Sequence, residues 1–291
     1  MDKAHSNTNK ILSKNETLMK KAYTNAYKDI KGEVAEIYSK IDLSSEDINE
    51  RLANANKHDR LNKITDKVTA AILETNKAEL KTINNVASEV YQENYNAILE
   101  KVKDKNTITK TAAKTEAKEN ANPYNEIAID NLKDEKRVKG KVKSSLLSSA
   151  INGVGIAGML ASIRKIFESN LADEVRMLET NTTGIENNAR LHAFDEIKPI
   201  VAKEGYEIVK VWNTQGDDRV RDGHARTQGQ EAPIDEPFYV NGEKLMFPGD
   251  PKGSAGNIIN CRCYMTYKLV KNRWQTVLKC GIAYANSETG T

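Results

Sequence analysis

The chain has 291 residues, 38% hydrophobic and 29% charged, with a net charge of +3 and a mean hydropathy of -0.64. That apolar content is too high for a disordered chain and low for one large globule, so an elongated helical protein with a smaller packed domain is expected. The near-neutral balance excludes a strongly basic nucleic-acid binder, and three cysteines, two of them one residue apart, do not make a disulfide framework.

The opening residues lack the basic-then-apolar pattern of a signal peptide. The least polar stretch, 151–163, contains three glycines and falls short of the roughly 20 apolar residues that span a bilayer. No membrane partner is expected, and the reducing cytoplasm is the expected place of synthesis.

In chain order, apolar residues first recur as Met19, Tyr23, Ala26, Ile30, Val34, Ile37 and Ile41, at spacings of three and four that place them on one helical stripe. Ser44 then has the pattern of an N-cap, with Asp47 three residues on and Leu43 and Ile48 flanking as a hydrophobic staple. A second periodic run, from Leu61 through Ile72 and from Ile83 to Val102, predicts a second long helix, broken at most once. Short connections would make these neighbours antiparallel, as a helical hairpin or bundle.

Residues 103–143 hold eleven lysines and arginines against seven acids. Lys133, Lys136, Arg137, Lys139, Lys141 and Lys143 are the candidates for contact with DNA phosphates; a solvated helix face is the competing reading. Residues 148–158 are small and glycine-rich, a predicted bend. Helical spacing resumes over Ile163, Phe167, Leu171 and Leu178, and Thr183 with Glu186 has the pattern of a capping box opening a further helix that contains His192.

The grammar changes after Gly205. Eight of sixteen glycines and four of six prolines lie between 205 and 256. Residues 207–212 read as a strand, and 238–240 and 244–247 as a hairpin joined by Asn241-Gly242, a pair that accepts the positive φ of a type I′ turn. Residues 261–269 alternate as a last strand that turns Cys261 and Cys263 to one side and Arg262 to the other. The expected fold class is α+β: a helical arm with a basic, linker-like end over 1–143, a helical connector over 144–204, a small α+β domain over 205–270 and a tail over 271–291.

The chemistry-bearing residues of that domain are His224 and the two cysteines. With Asp217, Asp218 or Asp250 as a fourth ligand they would form a structural zinc site; a buried cysteine pair beside a hydrogen-bonded histidine is the alternative. A Cys-x-Cys pair is a weak metal signature, so no cofactor beyond such a zinc is expected. Arg219, Arg221 and Arg262 near Asp217, Asp218 and Asp222 suit either phosphate recognition or internal pairing that fixes the loop.

The blocks Trp212-Asn213-Thr214, Asp217-Asp218-Arg219-Val220-Arg221, His224, Pro233 to Phe238, Pro248-Gly249-Asp250-Pro251 and Asn260-Cys261-Arg262-Cys263 resemble the phage Mu F-like minor head proteins, also called phage head morphogenesis proteins. The resemblance covers about residues 180–267, and the family pattern falls on Asp218, Arg221, His224, Cys261, Arg262 and Cys263. It implies a non-enzymatic, low-copy virion component that is made in the host cytoplasm. Its implied partners are the portal protein and the inner capsid or scaffold, with non-specific phage DNA contact during packaging or ejection in some members. The short stretch after Leu269 leaves no room for an added enzyme domain. The competing function is a metal-dependent nuclease-like enzyme using His224 to activate water. Against it, no second base is placed by the spacing, and no catalytic residue is assigned.

Overall fold

In the computed structural model, residues 2–103 and 135–271 are described. Lys133, most of the basic stretch and nearly all of the predicted tail lie outside them. The fold is α+β: long helices precede a small antiparallel sheet region in the chain.

Helix α1 (Lys3–Ser39) starts well before the predicted stripe. Met19, Tyr23 and Val34 of that stripe are buried, and Ala26, Ile30 and Ile37 pack beside them. The next helix, α2 (Ile48–Asn56), is capped by Asp47, whose side chain accepts the Asn49 N–H, and not by Ser44. Ser44 stands four residues before Ile48, away from the first-turn N–H groups, and donates its hydroxyl to Asp42 Oδ1 at 2.7 Å, whereas Asp47 directly precedes the helix. After a 3-10 turn (Lys57–Asp59), α3 runs unbroken from Arg60 to Lys103, the second long helix expected. Helix α4 (Glu135–Ile151) and helix α5 (Ile156–Lys203) flank the glycine-rich bend, where Gly153 takes φ +60°. The capping box at Thr183 does not open a helix. α5 passes straight through it, because the Thr183 hydroxyl bonds back to Glu179 O at 3.2 Å and Glu186 is held by other partners. Among the described residues no helix is long and apolar enough to cross a membrane.

These residues divide into two compact units: 11–86 with 135–178, and 2–10 with 87–103 and 179–271. Neither is one continuous stretch, so the expected segments 1–143 and 144–204 each supply residues to both. The first unit is all helix. Its core joins Tyr23 and Tyr38 to Leu61, Ile64, Val68 and Ile72, and to Val142, Leu146, Ile163 and Phe167.

The second unit holds the sheet. Strand β1 (Tyr206–Asn213) is central, paired antiparallel with β2 (Glu231–Pro233) on one side and β5 (Tyr264–Lys271) on the other, with Tyr206 opposite Lys271 and Asn213 opposite Tyr264. Strands β3 (Phe238–Val240) and β4 (Glu243–Leu245) form the predicted hairpin, its turn residues Asn241 and Gly242 at φ 52° and 82°. Phe194 and Ile197 of α5 pack with Trp212, Phe238, Leu245 and Met265 in one core. Lys210 of β1 is fully buried there; its ammonium donates to Met246 O at 2.7 Å over the Phe238 ring, and burial pushes it down to about 8.

One group in the helical unit is at odds with its surroundings. Glu174 of α5 is 1% exposed and both carboxylate oxygens lack a hydrogen-bond partner among the described residues. The Tyr23 hydroxyl beside it lowers its proton affinity somewhat but donates to Asn76 Oδ1 at 2.5 Å. Burial above all, with Glu79 and Asp173 adding repulsion, pushes the Glu174 carboxyl up to about 8. The folded state therefore holds this proton more tightly than the unfolded chain, and stability falls as pH rises from the ordinary value of 4.5 through about 8. Glu174→Gln should relieve this loss, with a gain over the parent that is small near pH 5 and reaches on the order of a few kcal/mol above about pH 8. Denaturant midpoints at the two pH values measure it; a gain independent of pH would contradict the assignment.

Candidate functional site

The site is assembled from three pieces of the sheet-containing unit. The first is the loop after β1 and the short helix α6 (Asp222–Thr227), which carries His224 into the interior at 2% exposure. Gly223 allows that approach, since a Cβ there would lie 2.5 Å from the Asn241 side chain of the hairpin turn. The His224 ring meets Trp212 edge-on, with centroids 5.7 Å apart.

The second piece is the segment between helix α7 (Ala255–Ile258) and β5. The last strand begins at Tyr264, so both cysteines precede it rather than open it as expected. Asn260 takes the left-handed φ of 56° and turns the chain just before them. This bend brings two thiols together that parallel side chains on a regular strand would keep apart. Cys261 and Cys263 are buried, and their sulfurs lie 3.7 and 3.4 Å from the same atom, His224 Nδ1.

The third piece is a polar ladder on α5. Thr180 Oγ1 accepts from Asn260 N at 3.0 Å, and Thr183 donates to Cys261 O at 2.5 Å. Asn187 donates to Cys263 O at 3.1 Å and accepts from Met265 N at 2.7 Å, and Arg190 donates to Met265 O at 2.7 Å. Residues 180, 183, 187 and 190 lie on one helical face, so a single side of α5 fixes the backbone on both sides of each cysteine. Sequence reasoning missed this ladder. Its signal was polar residues at helical spacing, misread as the start of a new helix.

The remaining predicted residues separate from the sulfur–imidazole group. Arg262 points away and grips Asp217 with two bonds of 2.7 Å, which hold the Asp217 carboxyl below its usual range. Arg221 donates to Ile259 O, and Asp218 is exposed on the loop. Asp250 is buried but spent on the Met246 and Lys252 N–H groups at 2.8 and 3.0 Å. Among the described residues, the side chains whose ligand atoms converge within 4.8 Å are His224, Cys261 and Cys263, without any of the expected fourth acids. A cavity of about 10 Å³, room for one water-sized body, opens beside them and is lined by Gln215, Arg219, Arg221 and Arg262. The Cys261 thiol is the more acidic of the pair. The neighbouring Cys263 thiol, donating to it, is the largest cause, and His224 adds to the effect. Cys263 is correspondingly raised.

Of the basic candidates, Arg137 and Lys141 pair with Asp173 at 3.2 and 3.8 Å and Lys139 with Asp66 at 2.7 Å, all within the helical unit. Lys136 and Lys143 are exposed. His192 of α5 bonds the Tyr91 hydroxyl at 2.8 Å.

The ladder and the surface fork should differ sharply under mutation. Asn187→Leu keeps the volume but strands the buried Met265 N–H and Cys263 carbonyl, at about 1–3 kcal/mol for each unmet group. Asp217→Asn, on the surface, should leave the denaturant midpoint nearly unchanged. Equal effects of the two substitutions would refute the ladder's structural role.

Comparison with known proteins bears on the same region. Residues 140–266 match the model of the family described as Phage Mu protein F like protein. No curated protein and no solved structure matches the chain. The matched stretch begins within α4, about forty residues before the stretch that the resemblance was read to cover, and ends within β5, so it takes in His224, both cysteines and the α5 ladder. Over residues 140–266 the chain is thus similar to the phage Mu protein F-like family that its motifs resemble.

Proposed function

We propose that this chain is a phage minor head protein, a low-copy structural component that acts in head assembly at the portal vertex. The observation that carries the reading is the family match over 140–266, since that family points to phage head morphogenesis. The architecture supports it. Helices of 37, 44 and 48 residues supply long surfaces for docking on the portal protein and the inner capsid or scaffold. Within the matched stretch, buried polar contacts from α5 hold the backbone around both cysteines. His224 is buried with its Nδ1 turned to two thiols, and no described carboxylate converges with it, which favours a structural over a nuclease-like role.

Contact with phage DNA during packaging or ejection is part of the same proposal. It rests on the exposed Lys136 and Lys143 more than on Arg137, Lys139 and Lys141, whose charges are partly met by Asp66 and Asp173. Such binding would be sequence-independent and weaken with salt.

Procapsids purified from infected cells provide the test. The chain should co-purify with the portal protein, at a copy number far below that of the major capsid protein, and heads assembled without it should be defective. Its absence from all head intermediates would overturn the reading. In parallel, Lys136→Glu with Lys143→Glu should reduce salt-sensitive binding of the purified chain to duplex DNA of arbitrary sequence. An unchanged salt dependence would remove DNA contact from the proposal while leaving the assembly role in place.

A further inference from the structure

We propose that Cys261, Cys263 and His224 bind a zinc ion, through two thiolates and the imidazole Nδ1, with the fourth position filled by water from the arginine-lined cavity. This goes beyond the head-assembly reading and does not depend on it.

The distances are the first support. In a tetrahedral zinc site with Zn–S near 2.3 Å and Zn–N near 2.0–2.1 Å, sulfur and nitrogen ligands lie about 3.6 Å from one another. The two sulfurs stand 3.7 and 3.4 Å from Nδ1, on either side of that value.

The chemistry of the trio is the second. A neutral imidazole nitrogen is either one donor or one acceptor, so Nδ1 can serve one thiol at a time. Two sulfurs converge on it nonetheless. As a purely hydrogen-bonded group this arrangement leaves one of them without Nδ1 as its partner. A cation between the three ligands gives each sulfur and Nδ1 a strong partner at once. Thiolate and imidazole donors select zinc over magnesium or calcium, which prefer oxygen.

Preorganisation is the third. Both cysteine carbonyls are fixed by α5, Cys261 by Thr183 and Cys263 by Asn187, and Asn260 is held by Thr180. The backbone is therefore positioned without the ion, and the left-handed turn at Asn260 aims both thiols inward. The space beside the trio, about 10 Å³, suits a single water as the fourth ligand.

The experiment uses the full chain, expressed in zinc-supplemented medium and desalted without chelator. Elemental analysis should find about one zinc per chain, and Cys261→Ser with Cys263→Ser should abolish it. Because that variant could misfold, the parent is also treated with a strong zinc chelator. Its melting temperature should fall by several degrees and recover on adding zinc but not magnesium. Replacement by cobalt should give the intense visible bands of a tetrahedral ion together with a thiolate charge-transfer band, a signature that structural loss alone cannot produce. Parent protein that is folded, zinc-free and indifferent to both chelator and cobalt would overturn the proposal, as would full zinc content in the double serine variant.

Discussion

The sheet-containing unit depends on one buried cation. Arg190 of α5 is 1% exposed, and its guanidinium reaches Asn94 of α3, Met265 O of β5, Asp2 near the start of the chain, and Glu186 one turn back on its own helix. A charge this deep is tolerated only when its donors are met, and the planar fork of arginine meets several at once. The second carboxylate is eased by His5, whose Nδ1 lies 2.9 Å from Glu186 and whose ring stacks on Tyr264 at 4.0 Å. Arg190 thus sets where β5 begins, and the start of β5 sets where the two cysteines lie. The α5 ladder above Arg190 continues the same logic toward Cys261.

The two units treat buried polarity differently. Around Arg190 every charge has a counterpart, and the network specifies a single arrangement of elements far apart in sequence. In the helical unit, Glu174 sits among Tyr23, Asn76 and Glu79, with no cation among the described residues near enough to hold it ionised. It is accommodated by keeping its proton, so that unit carries a built-in sensitivity to alkali.

Much of this was legible in the sequence, and the boundary of legibility is physical. The apolar stripe over Met19 to Ile41, the bend at 148–158, the central strand and the Asn241-Gly242 hairpin were readable because each is a local rule obeyed locally. The misreadings share one cause. Ser44 and Thr183 have the side chains of helix caps, but which hydrogen bond such a side chain makes is decided by neighbours, Asp42 in one case and the Glu179 and Cys261 carbonyls in the other. The grouping of His224 with Cys261 and Cys263 was visible as residue types and spacing. The turn at Asn260 that converges the sulfurs depends on the α5 residues that hold it in place, and these were not legible. Arg190 and His5 escaped notice because their importance comes from partners up to 188 positions distant, which no window along the chain can see.

The interleaving of the two units also bears on the order in which the chain acquires structure during synthesis. Residues 11–86 and 135–178 have all emerged before most of α5's last turns and the whole sheet exist, so the helical core can close first. Asp2 and His5, made long before Arg190, Glu186 and Tyr264, must wait for them before they find their places. These two residues are therefore fixed only after much of the later chain exists. A chain released early would present a finished helical body with its first turn still unanchored.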